Sequence, residues 1–465
     1  MGKDITMTRL SRRGLLAGTG AGAFGLLLPG CSTASFGSKS SYLSQVVAPE
    51  NRNTVFHWVD IALQQTRDQR VAPPRAAYSY AAPMVAGFVA ANAVSGRYAD
   101  VYGLGPAPAG TDPEVAYGTA FAVAAAECFQ QPFLAERRAF KRRFADGEAK
   151  SLGVEWGRKV GLAINKMRTR DGAEPSKVNY YLGRYARRTD ILKWTPTGPS
   201  YSAGPGPSID AYARGLYPGQ GQITPWTMKT SSQFRSPDFH DPASPEFAED
   251  FDLIRRLGGK DSTERTEDQS EIALFWEDGP WGITPPGHFL LIAMQVMQDR
   301  GFDFLDMAHA FALLGATQAD ASINAWDNKY HHDVIRPETA MCFRNIANSD
   351  PRVGLVKGWM SYIPTPNFPA YTSGHSTFGA AGAEMVRLLI GTDTVSFSHE
   401  SPDQVLWPSL TGKRRHFTSL SQAEEENGWS RLYGGVHWKA DHDAATRAGY
   451  AIARQAFAQQ FPKRA

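Results

Sequence analysis

Three clusters of side chains have the types and spacing to hold a tetrahedral oxyanion. The first is Ser373-Gly374-His375, inside Phe368-Pro369-Ala370-Tyr371-Thr372-Ser373-Gly374-His375-Ser376. Pro369 and Gly374 disfavour regular structure before the turn. The run that follows, with Ala380, Ala381, Ala383, Met385, Leu388 and Leu389, reads as a helix with one apolar face. The triplet therefore stands at a helix start, where free backbone N–H groups and the positive dipole end favour an anion. The second cluster is Lys329 with Arg336-Pro337, and the third is Ser430-Arg431 with His437 and Asp441. If Lys329, Arg336 and Arg431 converge, each close pair repels by roughly a few kcal/mol at an effective dielectric near 20. A site of that kind is stable around a multiply charged anion. Arginine suits it because its fork bonds two oxygens at once and keeps its charge.

In chain order the clusters spell Lys-x6-Arg-Pro, Ser-Gly-His and Ser-Arg-x5-His-x3-Asp. On these residues the chain resembles the vanadium haloperoxidases, which share their site with the bacterial acid phosphatases and the type-2 phosphatidic acid phosphatases. One departure is visible: Thr372 stands where the family usually has Pro, which touches the loop and no ligand. The resemblance implies a vanadate cofactor held by Lys329, Arg336, Ser373, Gly374 and Arg431 and ligated by His437. His375 would be the general acid and base, and Lys329 would polarise the peroxide. The implied reaction oxidises halide with hydrogen peroxide to hypohalous acid through a His-ligated peroxovanadate, with an organic acceptor downstream. Phosphate fits the same pocket. An exported acid phosphatase working through a phosphohistidine at His437 is the second reading, and a non-catalytic oxyanion-binding lipoprotein the third. That third case predicts a missing ligand, and none is missing.

Further residues extend the resemblance, which is clearest over residues 270–442. Trp326 and Phe368 stand where the chloride-oxidising vanadium enzymes have Trp and Phe beside the halide path; bromide-selective relatives place His at the Phe368 position. Phe275-Trp276-Glu277-Asp278-Gly279 is also similar, and by the resemblance Asp278 pairs with Arg431. Asp441 is expected either to orient His437 or to neutralise a nearby cation. His331 and His332 are adjacent and point in different directions on a helix, which gives them a surface or supporting role.

The elements that position these groups are helical. The expected fold is all-α, two helical bundles packed in one domain. The expected division is an export signal over 1–31, a tether over 32–50, a first bundle over 51–190, a Pro/Gly-rich crossing segment over 191–260 and a second bundle over 261–465. Asp112-Pro113 and Thr284-Pro285 open helices. Trp194, Tyr201, Tyr217 and Trp226 argue that the crossing segment packs. A last helix is expected over 436–459, carrying His437 and Asp441 one turn apart on one face.

Length and composition agree: 465 residues, 42% hydrophobic and 20% charged, describe a globular chain with a large core. A net charge of +3 gives no footing for nucleic acid. Ser11-Arg12-Arg13 followed by the apolar run Ala17 to Leu28 resembles a twin-arginine export signal, and Leu28-Pro29-Gly30-Cys31 a lipobox. The expected location is periplasmic or cell-surface, with membrane contact only through a lipid on Cys31. Cys128 and Cys342 are left as either two thiols or one disulfide.

Overall fold

Side-chain caps set where several of the helices begin. In the computed structural model, Asn53 accepts the N–H of Phe56 at 2.9 Å to open α1 (Thr54–Gln69), and Asp112 accepts those of Glu114 and Val115 to open a later helix. The first helices are α1, α2 (Pro73–Ser95), α3 (Pro113–Phe129), α4 (Leu134–Lys141) and α5 (Glu148–Arg168). Then come α6 (Pro245–Leu257), α7 (Glu267–Phe275), α8 (Thr284–Met297), α9 (Phe304–His332) and α10 (Pro337–Phe343). The last are α11 (Gly374–Ile390), α12 (Leu420–Tyr433) and α13 (Lys439–Gln459). Between α11 and α12 lies an antiparallel pair, β1 (Thr394–Glu400) and β2 (Arg414–Ser419). The structure describes residues 41–174, 190–195, 215–279 and 281–464. The export signal, Cys31 and Tyr201 lie outside these residues.

α9 is the spine. Asp303 caps it by accepting the N–H of Asp306 at 2.8 Å, and nearly every one of its 29 residues is buried. Small side chains along it let neighbours approach closely, so α9 packs on α2 and also on α11 and α13. The helices of both halves thus share one apolar core that runs from Tyr42 to Phe461. The described residues form one compact unit.

One expectation changes. Residues 41–50, expected as tether, belong to the folded body: Tyr42, Leu43, Val46 and Val47 are buried in the core, and Asp60 accepts from the Ser41 hydroxyl and the Leu43 N–H. Apolar side chains in a Ser-rich stretch decided this.

The crossing segment packs where it is described. Trp194 is fully buried, and the carboxylate of Asp320 on α9 accepts the N–H groups of Trp226, Thr227 and Met228 at 2.7, 2.7 and 3.0 Å. Cys128 and Cys342 are free thiols. Among the described residues no helix is long and apolar enough to cross a membrane.

Candidate active site

α9 ends at the site. Asp333, in the left-handed region (φ 58°), closes the helix by donating its N–H to the Lys329 carbonyl at 2.9 Å. Lys329 is fully buried, and its Nζ donates to the carbonyls of Pro369 (3.0 Å), Ala370 (3.0 Å) and Thr372 (2.6 Å). All three ammonium hydrogens hold the strap that leads to Ser373. Lys329 therefore contributes its charge and the strap's shape, and it reaches a ligand only by exchanging one of these bonds.

Arg336 caps α10 with Pro337 as the first helical residue, where a missing N–H is harmless. Its Nε donates to the Phe368 carbonyl (2.8 Å) and its Nη1 to the Val436 carbonyl (2.7 Å), with Nη1 also 3.1 Å from His437 Nε2. One guanidinium thus ties the strap to the segment before α13. Trp326 and Phe368 pack together at 5.1 Å, and the Lys329 ammonium lies 5.0 Å above the Phe368 ring.

Ser373 caps α11, as its place before the apolar run predicts: its Oγ accepts the Ser376 N–H at 3.3 Å. Its own N–H donates to the Asp441 carbonyl at 3.0 Å. Gly374 sits beside the Trp326 ring, 3.4 Å from where a Cβ would stand. His375, half-buried, donates from Nε2 to the Glu277 carbonyl at 3.1 Å, and Arg431 Nη1 lies 3.4 Å from that same oxygen.

His437 is not on a helix. α13 starts at Lys439, and His437 stands in the bend before it. Gly434-Gly435 is the reason: Gly435 has φ 75°, and a Cβ there would lie 2.1 Å from the Gly258 carbonyl oxygen, so the backbone turns sharply against α6's end. Asp441, in the first turn of α13, then reaches back. Its Oδ2 accepts from His437 Nδ1 at 2.7 Å and from the Trp438 N–H at 3.0 Å. This fixes the tautomer, with the proton on Nδ1 and the lone pair on Nε2.

Burial dominates the electrostatics. It pulls Lys329 well below its ordinary value, with the Arg336 charge adding to the effect. Arg336 is drawn down to about 9 and Arg431 to about 10, again first by burial. His375 and His437 both lie well below the usual imidazole range: burial leads, followed by the Arg431 charge for His375 and the Arg336 charge for His437. Both rings are neutral. Asp441 is pushed up to about 7 by burial, against the pull of the Trp438 N–H and the nearby cations. Arg336 Nη2, Arg431 Nε and Asp441 Oδ1 are buried without a hydrogen-bond partner. Cationic donors with spare hydrogens around a neutral imidazole fit a tetrahedral oxyanion, vanadate or phosphate.

Comparison with known proteins agrees with this geometry. Residues 309–462 match the family model of the VCPO second helical-bundle domain. The chain is also similar to a solved bacterial vanadium-dependent iodoperoxidase, with a TM-score of 0.71 and 23% identity over 89% of this chain and 98% of that one. The fold is that of the vanadium haloperoxidases. A bacterial vanadium-dependent chloroperoxidase in its apo form is likewise similar, with a TM-score of 0.62 and 17% identity over 82% of this chain and 92% of that one. In sequence, the chain is 28% identical over 281 residues to the vanadium chloroperoxidase of Curvularia inaequalis. That match covers 48% of this chain and 46% of the relative, so the chain spans about half the length of the curated relative it matches.

Within that fold Lys329, Arg336, Ser373, Gly374, His375, Arg431, His437 and Asp441, the residues singled out in the sequence, lie around the cap of α11. Asp278 is placed differently from its expected pairing. Its carboxylate accepts from His288 Nδ1 at 3.0 Å, and among the described residues it forms no ion pair with Arg431; its charge acts on that arginine through space. Asp278 has φ 48°, in the left-handed region, and its side chain bonds His288 on α8. His332 supports the crossing segment, 3.1 Å from the Ser236 carbonyl and 3.4 Å from Asp238. Sequence reasoning missed the Glu277 carbonyl that receives both His375 and Arg431, because a backbone acceptor has no residue-type signal. It also missed His442, which bonds Ser376.

Proposed function

We propose that this chain is a vanadate-dependent haloperoxidase that oxidises halide with hydrogen peroxide to hypohalous acid. The observation that carries the reading is His437, held as the Nδ1–H tautomer by Asp441 with its Nε2 lone pair among Lys329, Arg336 and Arg431. Vanadate bound there would supply a Lewis-acidic centre that takes up and polarises hydrogen peroxide without changing its own oxidation state. His437 Nε2 would be the protein ligand. Arg336 Nη2, Arg431 Nε, the Ser373 hydroxyl and the Gly374 N–H would hold the oxygens.

His375 moves the proton. Because Nε2 donates to the Glu277 carbonyl, Nδ1 is the ring nitrogen that takes a proton from incoming peroxide. Trp326 and Phe368 wall the approach, dry the pocket and strengthen each charge interaction in it. Phosphate is the expected competitor for the same donors, and an organic acceptor would meet hypohalous acid after release. Export through the twin-arginine-type leader, with a lipid on Cys31, accounts for the N-terminal sequence.

The test is chlorination and bromination of a phenol-type dye by the purified protein with hydrogen peroxide, with and without orthovanadate, beside aryl phosphate hydrolysis. Halogenation that needs vanadate and vanishes in His437→Ala is expected. Phosphatase activity that vanadate inhibits, with no halogenation, would assign the same residues to phosphoryl transfer.

A further inference from the structure

Three helices meet behind Ser373 in a hydrogen-bonded chain that the reaction as described does not use. Ser376 on α11 donates from Oγ to Ser373 Oγ at 3.1 Å, and its backbone N–H reaches that oxygen at 3.3 Å. On α13, His442 Nδ1 lies 3.0 Å from Ser376 Oγ. On α12, the Glu425 carboxylate lies 3.4 Å from His442 Nε2 and is itself anchored by the Trp429 indole N–H. His442 fits because residue 428 is glycine: a Cβ there would stand 2.2 Å from the imidazole.

The chain has one direction. A serine hydroxyl has two lone pairs and one hydrogen. The two Ser376 donors fill the lone pairs of Ser373 Oγ, so its own hydrogen is the capacity that remains. Ser376 spends its hydrogen on Ser373 and must accept from His442, which places a hydrogen on Nδ1. The Glu425 carboxylate faces the other ring nitrogen, Nε2, at 3.4 Å. Glu425 is held below the usual carboxylate range, first by its hydrogen bond to His442. Glu425 is exposed while His442, Ser376 and Ser373 are buried, so the chain runs from the surface to the pocket.

We propose that His442 and Ser376 are positioning residues that lock the Ser373 hydroxyl as a donor into the oxyanion pocket. Without them the hydroxyl rotates and can present a lone pair, which repels an oxyanion oxygen. This rests on the reading that the pocket binds vanadate.

The test is orthovanadate and inorganic phosphate binding to the full-length protein by isothermal titration calorimetry, with the melting temperature of each variant alongside. Ser376→Ala and His442→Leu are each expected to weaken orthovanadate about tenfold, the scale of one hydrogen bond to a charged group. His442→Asn puts an amide N–H near the Nδ1 position and is expected to stay within about threefold of the parent. A purely packing role for His442 predicts the reverse order, because Leu fills the space better than Asn. Ser376→Ala, which removes one oxygen, carries the test if the His442 variants fail to fold. Parent binding with Ser376→Ala unchanged, or with His442→Asn as weak as His442→Leu, overturns this proposal and leaves the function reading intact. A parent protein that binds neither oxyanion overturns both.

Discussion

Arg336→Lys separates charge from geometry at the site. Both side chains carry one positive charge, so the Coulomb attraction to an oxyanion is nearly unchanged, and what is lost is the fork. In the structure that fork holds the Phe368 carbonyl through Nε and the Val436 carbonyl through Nη1, and leaves Nη2 without a protein partner. An ammonium on an unbranched stem cannot span all three directions. A lost hydrogen bond between Nη2 and an oxyanion oxygen costs about 1.5–3 kcal/mol, or about 10–150-fold in Kd. The Val436 carbonyl is buried and the Phe368 carbonyl partly so, and each one left unpaired costs up to about 1–3 kcal/mol of stability. Orthovanadate titration by calorimetry and denaturant unfolding of the same preparations measure both numbers. A Kd within about twofold of the parent in a folded Arg336→Lys protein would refute the placement of Nη2 as a direct donor.

Two further outcomes follow from buried groups near the site. Burial and the Glu277 charge push Asp403 up to about 9. Between the ordinary carboxyl value and about 9 the folded protein holds a proton that the unfolded chain has lost, so stability falls as pH rises through that window and levels off above it. Asp403→Asn should flatten the decline by about 1.4 kcal/mol per pH unit, read from unfolding curves between pH 5 and pH 9 taken as round values in that window. Gly435→Ala should cost about 2–4 kcal/mol and lower the melting temperature, since its Cβ would collide with the Gly258 carbonyl in a left-handed backbone; little change would refute the turn that sets His437.

Much of the site was legible because its chemistry needs particular side chains in a fixed order. Lys329, Arg336, Arg431 and His437 bring the charge or lone pair that an oxyanion site needs, and Ser373 at a helix start is a cap that local sequence specifies. Helix openings at Asp112-Pro113 and Thr284-Pro285 were equally local. Less legible were groups that act through position. His437 was expected on the last helix, yet Gly435 must avoid the distant Gly258, a contact that no periodicity in residues 436–459 encodes.

The sequence by itself determined the cast of charged and hydrogen-bonding residues, the helical class and the cap at Ser373, because side-chain chemistry and helix starts depend on neighbours within a few positions. Tertiary structure alone decided that Asp278 accepts from His288, that Lys329 holds the strap with all three hydrogens, and that His442 reaches Ser376 across 66 residues. These partners are set by how buried helices pack. Burial also fixes the protonation of the two histidines, since the cost of charge depends on what surrounds a ring in space.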